Sequence, residues 1–261
     1  MRNIYIQSTS LFLSDNNTPQ SDMKEELKST SGQSFRRINR YILLGLAGLF
    51  RLANISKTNK LTSLYVGTKK GCVQDTTEIL HQMYKEKLLP MPFAFIAASA
   101  NMANYHIANT LGLQSGSYTI SHEYSPFEMA FKMSLSDLLE FKGDSSIVGC
   151  IDEEISTDDG VKNGSYWIKL TTDSQATIGK IISYQEFSTF DELFKTDLSD
   201  MSVIVNDSTK ESIESFVNGY TNYKNIFDIF ETLEKQEYKT IALIFRLSRS
   251  KISLCVIDSS R

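Results

Sequence analysis

The sequence predicts a layered α/β protein, and three observations carry that prediction. Short apolar strands such as SLYVGT, SYTIS and SSIVGCIDE are separated by helical stretches. Apolar residues recur at helical spacing in ANMANYHIANTLG and SPFEMAFKMSLSDLLEF. After Asp159 strands dominate, as in SYWIKLTT, ATIGKIISY, MSVIVND, YKTIALIFRL and KISLCVID.

Along the chain, residues 16–33 are rich in Ser, Asn, Thr and charge and read as a polar surface loop. YILLGLAGLF (Tyr41 to Phe50), flanked by Arg36, Arg37, Arg40 and Arg51, reads as a helix buried on all sides. It falls short of the ~20 residues that a membrane span needs. SLYVGT is a short strand ending at Gly67, followed by a helix for which Asp75 and Glu78 suit a capping box. Met102, Tyr105, Ala108 or Asn109, and Leu111 mark the next helix, with Gly112 as its stop. SYTIS then leads sharply into a further helix, capped by Ser125 with Pro126 in its first position and Glu128 completing a Ser-x-x-Glu box. Phe127, Ala130, Phe131, Leu135, Leu138 and Leu139 share one face of it, and Gly143 ends it. Beyond a weak seam near Ile155 to Lys162, SYWIKLTT and ATIGKIISY read as adjacent antiparallel strands. No linker is evident, so the chain reads as one domain over residues 1–261.

Composition narrows the function. Of 261 residues, 41% are hydrophobic and 22% charged, with 27 basic against 31 acidic side chains. That balance suits a folded protein and gives no electrostatic case for nucleic-acid binding. Three cysteines, Cys72, Cys150 and Cys255, lack CxxC spacing, which argues against a disulfide framework or a zinc ribbon. MRNIYIQSTSLFLSD has no sustained apolar core before a cleavage-like site, so it does not read as a signal peptide and a cytoplasmic location is expected.

Most candidate chemistry falls away on inspection. GTKKGC has neither phosphate-loop spacing. Asp152, Glu153, Glu154, Asp158 and Asp159 lack the alternation of a calcium loop and read as a solvated turn. A Cys–His nucleophile would need Cys150 beside His122, but Cys150 reads better as a small core residue. His81 and His106 fall within helices, partly buried or at the surface. The sharp strand-to-helix turn at SHEYSP would present Tyr124, and a tyrosine phenol ionises near pH ~10 and is a poor nucleophile at neutrality. An aromatic plug is the plainer reading.

The order of motifs from about Ser34 to Glu154 resembles the N-terminal half of the β-ketoacyl synthases. FRRINRYILLGLAGLFRLA looks like their arginine-flanked first buried helix, and SLYVGTKKGCVQDTTEIL like their strand, glycine turn and helix. PFAFIAASANMANYHIANTLGLQSGSYTIS carries similar Pro-Phe, Asn and Ile-Ala landmarks, and SPFEMAFKMSLSDLLEFKGDSSIVGCIDE resembles the nucleophile helix and its following strand.

The resemblance implies a thiolase-like fold of α-β-α-β-α layers, with residues 160–261 as a shortened C-terminal half. In that family a Thr-Ala-Cys-type turn carries the acylated cysteine, and aligning TISHEYS on it places Tyr124 at the cysteine position. The family also uses two downstream histidines, whereas this sequence has none after His122; VIVNDST, with Asn206, stands near the first of them. The pattern therefore resembles a chain-length factor, the inactive subunit paired with an active ketosynthase in type II polyketide systems, and its small size is similar to the short factors of aryl polyene assembly. In that family the subunits join along the strand before the turn, and the acyl tunnel enters their interface.

The resemblance thus implies no catalytic residue, no cofactor and no metal, a ketosynthase as partner, and an acyl carrier protein met through the complex. Expected tunnel or interface residues are Phe93, Phe95, Met102, Tyr105, Tyr118, His122 and Tyr124, each of which ordinary core packing would also explain. The rival readings are a homodimeric acyl-binding scaffold and an acyl-transferring condensing enzyme with unconventional residues.

Overall fold

The computed structural model of the chain describes residues 2–15, 18–36, 38–153, 163–193, 195–198, 201–206, 221–223, 240–248 and 251–258. The strands are β1 (Ile4–Leu13), β2 (Ser63–Thr68), β3 (Ser117–Ser121), β4 (Ser145–Asp152), β5 (Gly164–Thr171), β6 (Gly179–Phe187), β7 (Ser202–Asn206), β8 (Thr221–Tyr223), β9 (Thr240–Ser248) and β10 (Lys251–Asp258). The helices are α1 (Gln20–Ser31), α2 (Arg40–Leu49), α3 (Val73–Tyr84), α4 (Pro92–Ala97), α5 (Asn101–Leu111), α6 (Pro126–Leu139) and α7 (Phe190–Leu193).

The strands hydrogen-bond in the order β3-β2-β4-β5-β1-β6-β10-β9-β7-β8. Side chains alternate across each strand, so one strand feeds two cores. Tyr65, Val148, Cys150, Tyr166 and Ile168 point to one face of the first half-sheet and pack on Phe127, Phe131 and Leu135 of α6. Ile241, Leu243, Phe245, Cys255 and Ile257 reach the same core from the second half-sheet. Their neighbours turn the other way. Leu64, Val66, Ile147, Ile151 and Trp167 meet α1, α2 and α5, while Ala242, Ile244, Ile252, Leu254 and Val256 pack beside Leu193 of α7. Among the described residues, helix α6 therefore lies between two half-sheets that are hydrogen-bonded only through β1 and β6, with helices outside both: α-β-α-β-α, the expected thiolase-like layering.

Several expectations are met in detail. Every residue of α2 is buried, and Asn39 caps it by accepting from the Ile42 amide at 2.9 Å. Gly112 ends α5 at a φ of 65°, a conformation that a side chain would disfavour. Strands β9 and β10 form an antiparallel pair.

Other expectations are corrected. The proposed loop over 16–33 contains α1, which buries only Met23 and Leu27, four residues apart, so its amphipathic signal is faint. Residues 4–13, given no element from sequence, form β1; three consecutive Ser and Thr residues among its ten blur its alternation. Strand β1 lies between β5 and β6, so SYWIKLTT and ATIGKIISY are not neighbours. The cap position of α3 is Cys72, which leaves Asp75 inside the first turn rather than at its start. Helix α6 stops at Leu139, and Phe141, not Gly143, takes the positive φ of 60° that turns the chain away. The seam at Ile155 to Lys162 lies outside the described residues.

Candidate functional site

Strands β2, β3 and β4 run parallel, so the turn after β3 stands at the same end of the sheet as Thr68 and Asp152. Four residues, His122 to Ser125, connect β3 to α6. Gly67 makes the sharpness of this turn possible. A Cβ there would stand 2.5 Å from the Pro126 carbonyl oxygen, so only glycine lets the start of α6 sit on β2.

The cap of α6 is not the predicted one. Ser125 occupies the cap position but its side chain makes no capping hydrogen bond. Instead, the imidazole of His122 accepts through Nδ1 from the amides of Ser125 (3.0 Å) and Tyr124 (3.3 Å). The His122 backbone amide in turn donates to the Thr68 carbonyl, extending the β2–β3 pairing into the turn.

Tyr124 is carried at the tip with 71% of its surface exposed. Its ring meets His122 edge-on with centroids 6.5 Å apart. Because the Nδ1 lone pair is held by two backbone amides, that nitrogen is not available as a base toward the phenol. The three thiols offer no substitute. Burial pushes Cys72 and Cys255 up to about 12, and Cys150, which donates to Asp152 at 3.5 Å, well above its ordinary range. Cys150 is a core residue, as expected.

Sequence reasoning missed what lies beneath the turn. Asp152 and Glu153 are buried rather than solvated; Glu154, Asp158 and Asp159 fall outside the described residues. Asp152 accepts from the Lys69 amide at 2.8 Å, and Glu153 accepts from the Gln74 amide at 3.2 Å, at the start of α3. Glu128 on α6 is buried as well. Burial raises Asp152 to about 6 and both Glu128 and Glu153 to about 7. The position of Asp152 and Glu153 directly after an apolar strand was the available signal. Among the described residues, no group of three or more metal-binding side chains occurs and no helix is long and apolar enough to cross a membrane.

None of the aromatic residues expected at the site is core. Phe93 (58%) and Phe95 (65%) stand exposed on α4, Tyr105 (60%) on α5 and Tyr118 (42%) on β3. Met102 is partly buried against the outer core, and the buried face of α5 belongs instead to Ala103, Asn104 and Ile107. Tyr118 stacks on Tyr65, centroids 5.1 Å apart. Tyr105 and Tyr118 line one groove with Asn101, Asn104, Ile120 and Met133. That groove follows the outer edge of β3, the terminal strand of the sheet. His122 and Tyr124 belong to the turn just beyond it. Asn206 ends β7.

Five layers, a central helix entered through a tight turn and a free edge strand before that turn define the class: this is the thiolase-like fold of ketosynthases and chain length factors. The ishigamide ketosynthase/chain length factor superposes with a TM-score of 0.72, covering 99% of this chain and 100% of that one at 13% identity. A type II polyketide synthase acyl-carrier protein in complex with its ketosynthase bound to the hexaketide gives 0.71, full coverage of both chains and 11% identity. A ketosynthase in complex with its chain length factor from Xenorhabdus doucetiae gives 0.58, with 98% and 99% covered, at 9% identity. At such identities the likeness is one of fold. No protein-family profile matches the sequence, nor does any curated protein.

Proposed function

We propose that this chain is a non-catalytic chain-length-factor subunit. It pairs along β3 with an active ketosynthase and shapes the tunnel that receives the growing acyl chain, in type II polyketide assembly of the aryl polyene kind. One observation carries the reading: a turn built to present a nucleophile presents an exposed tyrosine, while the candidate base beside it is tied to the backbone and the thiols are buried. The exposed aromatic residues around β3 and α4 support a second subunit as their cover, since large apolar groups gathered on a surface mark interaction sites. In this reading the partner's cysteine holds the acyl chain and the carrier protein docks on the complex. Phe93, Phe95, Met102, Tyr105, Tyr118, His122 and Tyr124 border the shared interface, and bulky side chains there limit product length.

The test is reconstitution with the ketosynthase encoded beside this chain. The chain alone should release no carbon dioxide from malonyl-loaded carrier protein, and Tyr124→Ala in the complex should shift the product-length distribution. Turnover by the isolated chain would overturn the reading, as would a Tyr124→Ala complex whose products are unchanged.

A further inference from the structure

The turn between β3 and α6 is pinned at both ends and held across its middle by one titratable side chain. At its start the His122 backbone amide donates to the Thr68 carbonyl of β2. At its end Ser125 and Pro126 are buried, and the Pro126 carbonyl oxygen lies so close to Gly67 that a Cβ there would stand 2.5 Å away. Only Glu123 and Tyr124 lie between these anchors, and both are exposed.

The His122 imidazole spans that gap, accepting through Nδ1 from the amides of Ser125 (3.0 Å) and Tyr124 (3.3 Å). These amides stand three and two residues on, the spacing over which an Asn or Asp side chain caps a helix. A ring nitrogen that accepts carries no hydrogen, so the neutral ring holds its hydrogen on Nε2. Histidine, unlike asparagine, changes its charge between pH ~5 and ~8. Once protonated, Nδ1 is a donor facing two donors, and the cation stands at the positive end of α6.

The groups around the ring offer no second hold. Pairing of Thr68 with Ser121 sets Lys69 and Lys70 beside the turn, and Asp152 lies beneath it, its carboxyl engaged by the Lys69 amide and the Cys150 thiol. Glu128 is buried in the first turn of α6, and Glu123 and Tyr124 belong to the turn itself. Among the described residues, none of these side chains makes an ion pair or a hydrogen bond with the imidazole.

We infer that His122 is a proton-operated latch: the neutral imidazole holds Glu123 and Tyr124 in one conformation, and its protonation frees that two-residue segment while both anchors stay in place. The turn therefore loosens locally on acidification. The buried carboxyls act in the opposite sense, because Asp152, held at about 6, and Glu128, held at about 7, steady the fold as pH falls. Local loosening thus runs against overall stability, which separates the latch from general unfolding. The latch stands without the function proposed above; its consequence there, a pH-dependent placement of Tyr124 against the acyl chain, rests on that reading.

The experiment follows the His122 ring nitrogens and the Tyr124 and Ser125 amides of the full chain by nuclear magnetic resonance from pH ~8 to ~5, beside a His122→Asn variant. At pH ~8 the ring should show a bare Nδ1 and a hydrogen on Nε2. At pH ~5 exchange of the Ser125 amide, corrected for its intrinsic rate, should quicken about fivefold, the worth of an ordinary cap, while the melting temperature does not fall. His122→Asn should keep Ser125 equally protected throughout, because its acceptor does not titrate. A hydrogen on Nδ1 at pH ~8, or Ser125 exchange that is the same at both ends of the range, overturns the inference. Exchange that quickens only in step with a falling melting temperature is general unfolding and overturns it too. So does a His122→Asn chain that responds to acid as the wild type does. Each of these results leaves the proposed function standing.

Discussion

His122 Nδ1 lies 3.0 Å from the Ser125 amide nitrogen and accepts its hydrogen, so the residue that closes β3 also caps α6. The turn between them is held by the His122 side chain. Replacing His122 with alanine should cost about 1 kcal/mol, the worth of an ordinary cap. Thermal unfolding checks this, and a His122→Ala chain that melts as the wild type does would contradict it.

The contrast between an exposed tip and buried thiols is open to direct chemical measurement. In the native wild-type chain Cys72, Cys150 and Cys255 are all buried and should resist a thiol reagent such as Ellman's. Tyr124→Cys should gain one promptly reactive thiol per chain. Rapid labelling of the native wild type would contradict the burial of the three cysteines.

Gly67 predicts a change in shape as well as in stability. A methyl group there meets the Pro126 carbonyl oxygen at 2.5 Å, a backbone atom that moves only if α6 moves. Gly67→Ala should destabilise the chain by about 1–3 kcal/mol, the range for overpacked sites. Combined with Tyr124→Cys it should also alter the labelling rate at the tip, which a purely local clash would not do.

The buried carboxylates set a pH dependence. Burial holds Asp152 at about 6 and Glu128 and Glu153 at about 7, above their ordinary range. Between pH ~4.5 and ~7 the folded chain then binds more protons than the unfolded one, so these groups make stability fall as pH rises through that window. For Glu128, the gap from 4.5 to about 7 corresponds to about 3 kcal/mol. Glu128→Gln should flatten part of that slope and raise the melting temperature at pH 8 relative to the wild type. A wild-type chain that gains stability from pH 5.5 to 8, with Glu128→Gln running parallel to it, would contradict this.

Much of the fold was legible because local chemistry and tertiary position agree. Helix α2 is apolar on every side and lies buried on every side; Gly112 stops a helix as glycine does elsewhere. Failure came where tertiary context decides. Strand β1 carries Ser8, Thr9 and Ser10 in a row, yet it joins the two half-sheets. Nothing in SYWIKLTT or ATIGKIISY shows that an N-terminal strand will separate them. At the site, Tyr124 was placed by motif order, but the exposure of Phe93, Phe95 and Tyr105 was not legible, since an aromatic residue awaiting a partner looks like a core residue in sequence. Asn104, one polar residue in an ordinary helix, gave no signal at all.

In the proposed function the groove beside Tyr124 is half of a shared site. Its most direct test is the native mass of this chain expressed alone and with the ketosynthase encoded beside it. A one-to-one complex that forms on co-expression is expected. A stable homodimer or monomer that leaves the synthase unbound would contradict it.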